Sequence, residues 1–212
     1  MLLVLIYAAR VEVTVRVRPP MDIDGPCTQL IADEAAGTVT VGESGDKCYR
    51  FDHVLPPKST QAHAFAATAA PLVEAVLSGI NGAIIAYGQT GAGKTYTLCE
   101  LATGKAGIIP RALATLFDRI ERMGDRYDFT VKLTYLQIYM DTIQDLLQPE
   151  RVNLAVRESS DGIYVGNLSE HRVRSAADVL ALLELGEAAK MFAQTRLVCC
   201  FTAISVFEYW FC

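Results

Sequence analysis

A glycine-rich octapeptide follows an apolar run in the first half of this chain and matches the pattern G-x-x-x-x-G-K-[ST]. Its residues are Gly88, Gln89, Thr90, Gly91, Ala92, Gly93, Lys94 and Thr95. The preceding residues 83–87 predict a buried parallel strand, and residues 95–98 predict the first turn of a helix. Because the pattern binds phosphate when it joins a strand to a helix, the sequence predicts a phosphate-binding loop in an α/β fold.

The residue types of this loop indicate its ligand. The glycines allow a tight turn with backbone N–H groups directed inward, and the following helix adds the positive end of its dipole. Lys94 can reach the β- and γ-phosphates of a nucleotide, and the hydroxyl of Thr95 can ligate Mg²⁺. The alternative is a glycine-rich turn that carries a lysine by chance.

The remaining elements are predicted from hydrophobic periodicity. Residues 11–18 alternate apolar and polar positions, which predicts a strand with one solvent-facing side that ends at Pro19 and Pro20. Further strands are predicted at 38–41, 48–51, 129–139 and on both sides of residues 161–162. Helices are predicted at 60–77, 111–122 and 176–192, with a short helical turn at 142–147. The apolar residues 1–10 are interpreted as a lead-in to the first strand rather than a signal peptide.

Composition excludes some classes of partner. Apolar residues make up 51% of the chain, which is enough for a core, and the formal net charge of −5 argues against a dedicated nucleic-acid-binding protein. No stretch approaches the roughly 20 apolar residues that a helix needs to cross a bilayer. The six cysteines lack C-x-x-C spacing, so reduced intracellular thiols are expected rather than zinc or a disulfide framework.

Six sequence elements, in order, resemble the kinesin motor domain family. They are V-R-V-R-P at 15–19, F-D-H-V-L at 51–55, N-G-A-I-I-A-Y-G-Q-T at 81–90, G-I-I-P-R at 107–111, Y-L-Q-I-Y-M-D-T-I-Q-D-L-L at 135–147, and G-E-A-A-K with T-R-L at 186–197. The fifth element is most similar to the armadillo-repeat kinesins. The resemblance implies a P-loop NTPase fold, with a central, mostly parallel sheet and flanking helices, incomplete at its C-terminal side.

The resemblance also implies a ligand and a set of site residues. ATP with Mg²⁺ would bind at residues 88–95, with Thr95 as the metal ligand and Tyr96 stacked on the base. Arg16, Arg18 and Pro19 would lie beside the adenine; without the resemblance, the two arginines read as the solvent-facing side of a strand. The implied partner is the microtubule, and the implied location is the cytoplasm and its cytoskeleton.

The resemblance ends after Leu197. The family's N-x-x-S-S-R-S-H and D-x-A-G-S-E motifs, its two switches, do not occur in residues 1–212, so no catalytic residue is assigned. Hydrolysis and movement are expected only where the switches are present. Microtubule contact is expected to be weakened, with Arg151 and Arg157 near residues 153–166 as the remaining positive charge.

Two interpretations therefore follow for the domains and the function. Residues 1–197 are interpreted as a partial motor domain and residues 198–212 as an apolar tail rich in cysteine and aromatic residues. That tail is a core strand, an adhesive peptide or a sequence foreign to the fold. The alternative to an ATP-binding portion of a motor is a non-motile nucleotide-binding or interaction protein.

Overall fold

The computed structural model describes residues 1–7, 10–21, 30–42, 47–102, 104–124, 127–160 and 162–190, and the backbone of residues 199–210. Clustering of contacts divides the chain into two compact units, Met1–Leu116 and Phe117–Cys212. None of the helices in these described ranges is long and apolar enough to cross a bilayer.

The first unit is built on a four-stranded sheet and a three-stranded sheet. Its strands are β1 (Leu2–Tyr7), β2 (Arg10–Arg16), β3 (Leu30–Asp33), β4 (Thr38–Val41), β5 (Lys47–Arg50), β6 (His53–Leu55) and β7 (Gly82–Tyr87). Its helices are α1 (Gln61–Ala67), α2 (Ala69–Leu77), α3 (Lys94–Cys99) and the first part of α4 (Ile108–Met123). The strands predicted at 38–41 and 48–51 are confirmed as the antiparallel pair β4 and β5.

The four-stranded sheet has the order β6-β2-β1-β7 and a mixed direction. Strand β6 is parallel to β2, while β1 is antiparallel to both β2 and β7, so β2, β6 and β7 all run the same way. The α/β class agrees with prediction. The prediction of a buried parallel strand at residues 83–87 is wrong, because β7 pairs antiparallel with β1 and exposes Ile85 and Tyr87. The interpretation of residues 1–10 as a lead-in is wrong, because residues 2–7 form a strand of their own. Only two residues connect β1 to β2, and so short a connection permits only an antiparallel hairpin.

The face of β2 that is buried is the opposite of the one predicted. Its polar side chains lie in the interior, and they are Glu12, Thr14 and Arg16. Val11, on the other face, is 58% exposed. Burial of Glu12 is tolerated because it accepts a hydrogen bond from the hydroxyl of Tyr7 and pairs with Arg10 at 2.9 Å. The hydroxyl of Thr14, in contrast, has no hydrogen-bond partner among the described residues.

The helices of the first unit pack on the face of this sheet that carries Leu3, Thr14 and Arg16. Leu3, Ala69 and Ile108 form a buried cluster, against which partly buried residues such as Phe65 and Ile84 pack. The single helix predicted at 60–77 is two helices, separated at Thr68. Thr60 caps α1, since its hydroxyl accepts the backbone N–H of His63 at 3.1 Å.

The second unit centres on the long strand β8 (Tyr127–Tyr139). Strand β9 (Thr142–Asp145) pairs with residues 136–139 of β8, and β12 (His171–Val173) pairs with residues 131–133. Strands β10 (Val156–Ser159) and β11 (Gly162–Val165) form a separate hairpin. Helix α5 (Ala176–Ala189) packs against β8 and β12. The predicted helical turn at 142–147 is wrong. Met140 and Asp141 have φ of 47° and 59°, the left-handed pair that reverses the chain into a tight hairpin.

The apolar tail contributes a strand to this sheet. Strand β13 (Cys199–Trp210) pairs antiparallel with β8 along twelve residues, from Cys199 opposite Ile138 to Trp210 opposite Tyr127. Of the three interpretations of the tail, the backbone agrees with the strand. The predicted domain boundary after Leu197 falls outside the described residues.

Candidate nucleotide-binding site

The glycine loop joins β7 to α3, as predicted. Gly91 and Gly93 have φ of +81° and +93°, a backbone conformation that is costly for residues with a Cβ atom. Apart from the adjacent residues of the chain, no heavy atom of the described residues lies within 4 Å of where a Cβ would stand at either position, so the requirement is conformational. The space beside these glycines is therefore open to a ligand that approaches the backbone.

Lys94 begins α3 and turns back over the loop. Its Nζ donates hydrogen bonds to the carbonyl oxygens of Gly88 at 2.7 Å and Gln89 at 3.0 Å. An ammonium group carries three donors, so the two loop carbonyls leave one for an anion. The loop thus holds a positive charge above its own backbone.

The residues after Lys94 present the remaining polar groups. Thr95 and Tyr96 are both exposed, and the hydroxyl of Thr95 makes no hydrogen bond within the described part of the chain. A hydroxyl at this position, next to open glycine backbone and an ammonium, fits the hard oxygen-donor chemistry of a Mg²⁺-bound phosphate. The donor set at residues 88–95 therefore fits a magnesium nucleotide.

Arg16 reaches the site from β2, but its side chain is held inside the protein. It is 8% exposed, and its Nη1 donates to the Oε1 of Gln61 at 2.7 Å and to the Oγ1 of Thr97 at 3.0 Å. Its Nη2 donates to the carbonyl oxygen of Ser59 at 3.1 Å, and its guanidinium lies 5.5 Å from the ring centre of Tyr96. Desolvation lowers the pKa of Arg16 from its ordinary value, and interaction with Tyr96 opposes this. The arginine is thus a buried, hydrogen-bonded group and not part of a solvent-facing strand side.

Arg18 and Pro19 lie just beyond β2. Nη1 of Arg18 donates to the carbonyl oxygen of Pro19 at 3.2 Å, and both residues are at least partly exposed. The amino group of Met1, which donates to the carbonyl oxygen of Arg16 at 3.1 Å, lies near the same place. Burial lowers the pKa of this amine first, and the positive charges of Lys94 and Arg18 lower it further. The positive charges of Lys94 and Arg18 therefore both act on this place beside the loop, and they favour an anion there.

The predicted site residues consequently fall into two groups within the first unit. Lys94 and the glycines form the loop, whereas Arg16 and Tyr96 form a contact pair tied to α1. Sequence reasoning missed Gln61, which bonds to both members of that pair. A glutamine at the start of an alanine-rich helix carries no pattern that separates it from a solvent-facing residue.

A cavity of about 250 Å³ lies in the second unit. It is lined by Phe117, Ile120, Phe129, Val131, Arg172, Val173 and Arg174. None of these is a predicted site residue, so the cavity is separate from the candidate nucleotide site.

Comparisons with known proteins bear on the same residues. The family profile described as the kinesin motor domain matches residues 20–198. A kinesin heavy chain of Caenorhabditis elegans is 40% identical over 156 residues, which cover 72% of this chain and 19% of that protein. Kinesin-related protein 3 of Dictyostelium discoideum is 32% identical over 197 residues, covering 88% of this chain and 16% of that protein.

A solved structure agrees with these sequence relatives. The structure of a fast kinesin, described for its implications for ATPase mechanism and interactions with microtubules, superposes on this chain with a TM-score of 0.82 at 27% identity. The match covers 92% of this chain and 59% of the other, and the chain spans less than a fifth of the length of the two sequence relatives named above. This likeness confirms the predicted P-loop NTPase fold, and the chain belongs to the kinesin motor domain family.

Proposed function

We propose that this chain binds Mg-ATP at residues 88–95 and is the nucleotide-binding portion of a microtubule motor. The observation that carries the proposal is the geometry of the loop. Its glycines adopt left-handed backbone, and the Nζ of Lys94 lies 2.7 Å from the carbonyl oxygen of Gly88. Fixed N–H groups with a cation at the end of a strand favour a triphosphate over a neutral ligand.

Each residue of the site has a role in this proposal. Lys94 neutralises the β- and γ-phosphates, and Thr95 ligates the Mg²⁺ that neutralises the remaining phosphate charge. Tyr96 offers its exposed ring to the base, and Arg16 supports that ring from the protein side. Arg18 and Pro19, which follow β2, lie beside the base in this proposal.

The proposal separates binding from turnover. Hydrolysis requires groups that position water and stabilise the charge developing on the γ-phosphate. The family supplies these from two switch motifs that residues 1–212 do not contain. We therefore assign nucleotide binding to this chain. Hydrolysis and movement are assigned to a motor that includes both switches.

Contact with the microtubule is proposed for the β10–β11 hairpin of the second unit. Arg157 lies on β10 and is exposed, and Arg151 donates to the carbonyl oxygen of Asn167 at 3.0 Å just before the hairpin. Two arginines give a weak attraction to an acidic filament, because exposed charges are screened by salt. The proposed location is accordingly the cytoskeleton of the cytoplasm.

Titration calorimetry of residues 1–212 with Mg-ATP tests the nucleotide assignment. The unsubstituted chain is expected to bind saturably, and Lys94→Ala is expected to abolish that binding. Lys58→Ala is the matched control, since Lys58 is exposed in a turn of the same unit and should leave the affinity unchanged. Equal binding by the Lys94→Ala variant, or no binding by a folded unsubstituted chain, contradicts the proposal.

A further inference from the structure

Gln61 is a buried amide whose hydrogen bonds connect three segments of the first unit. It is the first residue of α1 and is 6% exposed. Its Oε1 accepts from Nη1 of Arg16 at 2.7 Å, while its Nε2 donates to the carbonyl oxygens of Tyr96 at 2.7 Å and Lys105 at 3.2 Å. The side chain thus bonds to β2, to α3 and to the segment that follows α3.

These bonds fix the contact between Arg16 and Tyr96. One end of the amide holds the guanidinium of Arg16, and the other holds the backbone of Tyr96, whose ring lies 5.5 Å from that guanidinium. Thr97, the chain neighbour of Tyr96, and Ser59 accept hydrogen bonds from the guanidinium as well. Among these three partners, only Gln61 is hydrogen-bonded both to the guanidinium and to the backbone of Tyr96. The glutamine therefore sets the orientation of the arginine relative to the aromatic ring.

The same amide does not contact the phosphate loop directly. Within the described residues, the side-chain bonds of Gln61 go to Arg16, Tyr96 and Lys105, whereas Lys94 bonds to Gly88 and Gln89. Tyr96 is 46% exposed as a residue, so it can still take a planar group against its ring. The contacts that hold the ring are thus separate from those that hold the loop cation.

We propose that Gln61 is a positioning residue for the base of the nucleotide. By fixing Arg16 against Tyr96, it determines the part of the affinity that comes from the base, while residues 88–95 supply the part that comes from the triphosphate. This assignment rests on the proposed function, because it presumes that the loop binds a nucleotide.

The test compares two ligands that share a triphosphate and differ in the base. Mg-ATP and Mg-tripolyphosphate are titrated into the full chain and into the variants Gln61→Met and Gln61→Glu. Methionine has similar length and removes both hydrogen-bonding ends. Glutamate keeps an oxygen for Arg16 and removes the N–H groups that face Tyr96 and Lys105. Gln144→Met is the matched control, since Gln144 bonds to Gln137 and Pro149 in the second unit.

Both variants should lower the preference for Mg-ATP over tripolyphosphate. For Gln61→Met we expect a loss of about tenfold in Mg-ATP affinity, the size expected when a hydrogen bond to a charged group is removed, with little change for tripolyphosphate. Gln61→Glu should give a smaller loss of the same kind, and Gln144→Met should give none. A general loosening of the loop would instead weaken both ligands equally.

Three outcomes overturn the assignment. One is an unchanged ratio of the two affinities in a folded Gln61 variant, and another is a parallel loss for both ligands. If neither variant folds by circular dichroism, Gln61 is a core residue and the positioning role is rejected. Failure of the unsubstituted chain to bind either ligand is a different result, because it overturns the proposed function itself and the inference with it.

Discussion

The carboxylate of Asp145 accepts the backbone N–H of Ser169 through Oδ2 at 2.7 Å, across a separation of 24 residues. Its other oxygen accepts the N–H groups of Leu147 at 2.9 Å and Gln148 at 3.2 Å. Asp145 is fully buried, so these three bonds replace the water that the carboxylate loses on folding. One side chain thus joins the end of β9 to the segment that leads into β12.

We predict that Asp145→Asn destabilises the protein by about 2 kcal/mol or more, because the new amide N–H groups would face backbone donors in the interior. The free energy of unfolding in urea measures this. Asp141→Asn is the control, because Asp141 is exposed and has φ of 59°, a conformation that asparagine accepts. The free energy of unfolding of this variant should equal that of the unsubstituted chain within experimental error. Equal stability of the two variants would show that the buried bonds contribute nothing net.

The phosphate loop was predictable because its requirements are local. Residues 88–93 lie between β7 and α3 as the pattern indicates, and the left-handed conformation of Gly91 and Gly93 is a property of the chain's own backbone. Long amphipathic helices were predictable for the same reason. The helix predicted at 111–122 is α4, extended by a few residues at its ends.

What failed was the assignment of faces and partners. Alternation along β2 shows that the strand has two different sides, but the buried side was decided by Gln61, Thr97 and Ser59, which lie 43 to 81 residues away from Arg16 in sequence. Likewise, residues 142–145 became a strand because β8 offered an edge to pair with. Such choices depend on contacts that are distant in sequence, and periodicity does not contain them.

A second prediction concerns pH and the start of α5. The pKa of the exposed carboxyl of Asp178 lies below its ordinary value of 3.8, first because it accepts the backbone N–H of Arg174, and also because it bonds to Ser175. A depressed carboxyl pKa contributes stability that is present above the ordinary value and is lost as pH falls through the folded value. Asp178→Asn should therefore be less stable than the unsubstituted chain at pH 6, and the difference should shrink below pH 3.8.

Thermal unfolding of both proteins at pH 6 and in a series below pH 3.8 checks this prediction. Ser175→Ala, which removes the hydroxyl that accepts the N–H of Asp178 at 3.1 Å, should cost about 1 kcal/mol at low pH. Its cost should be larger at pH 6, because the Ser175 side chain also helps to lower the pKa of Asp178. A difference for Asp178→Asn that stays constant with pH would show that charge plays no part in the cap.

A third prediction concerns close packing at Gly107. A Cβ at this position would stand 2.8 Å from the carbonyl oxygens of both Thr97 and Leu98, while the N–H of Gly107 donates to Glu100 at 2.8 Å. Gly107→Ala should therefore destabilise the protein by about 1–3 kcal/mol, because backbone atoms at the end of α3 must move. Gly79→Ala is the comparison: it has φ of +80° in open space, and so it tests conformational strain without a steric clash.

Urea unfolding of the two variants distinguishes these causes. Gly79→Ala should cost about 1 kcal/mol through its left-handed backbone alone. The Gly107→Ala variant should also bind Mg-ATP more weakly, because α3 carries Lys94 and Tyr96, whereas Gly79→Ala should not. If Gly107→Ala is as stable as the unsubstituted chain, the backbone at the end of α3 can move at no cost in free energy and does not constrain the site.

The last prediction separates nucleotide binding from hydrolysis. Lys94, Thr95 and the loop glycines supply donors and a metal ligand to the ground-state triphosphate, but catalysis comes only from contacts that strengthen in the transition state. Removing the residues that position water and stabilise the transferring phosphoryl group costs roughly three to five powers of ten in related NTPases. Steady-state phosphate release by residues 1–212, measured beside an intact kinesin motor domain, should therefore be lower by at least about a thousandfold. Lys94→Ala gives the background rate, since that variant should not hold the nucleotide. A Lys94-dependent rate close to that of the intact domain would mean that groups within this chain activate water. The proposal that this chain binds the nucleotide without hydrolysing it efficiently would then be wrong.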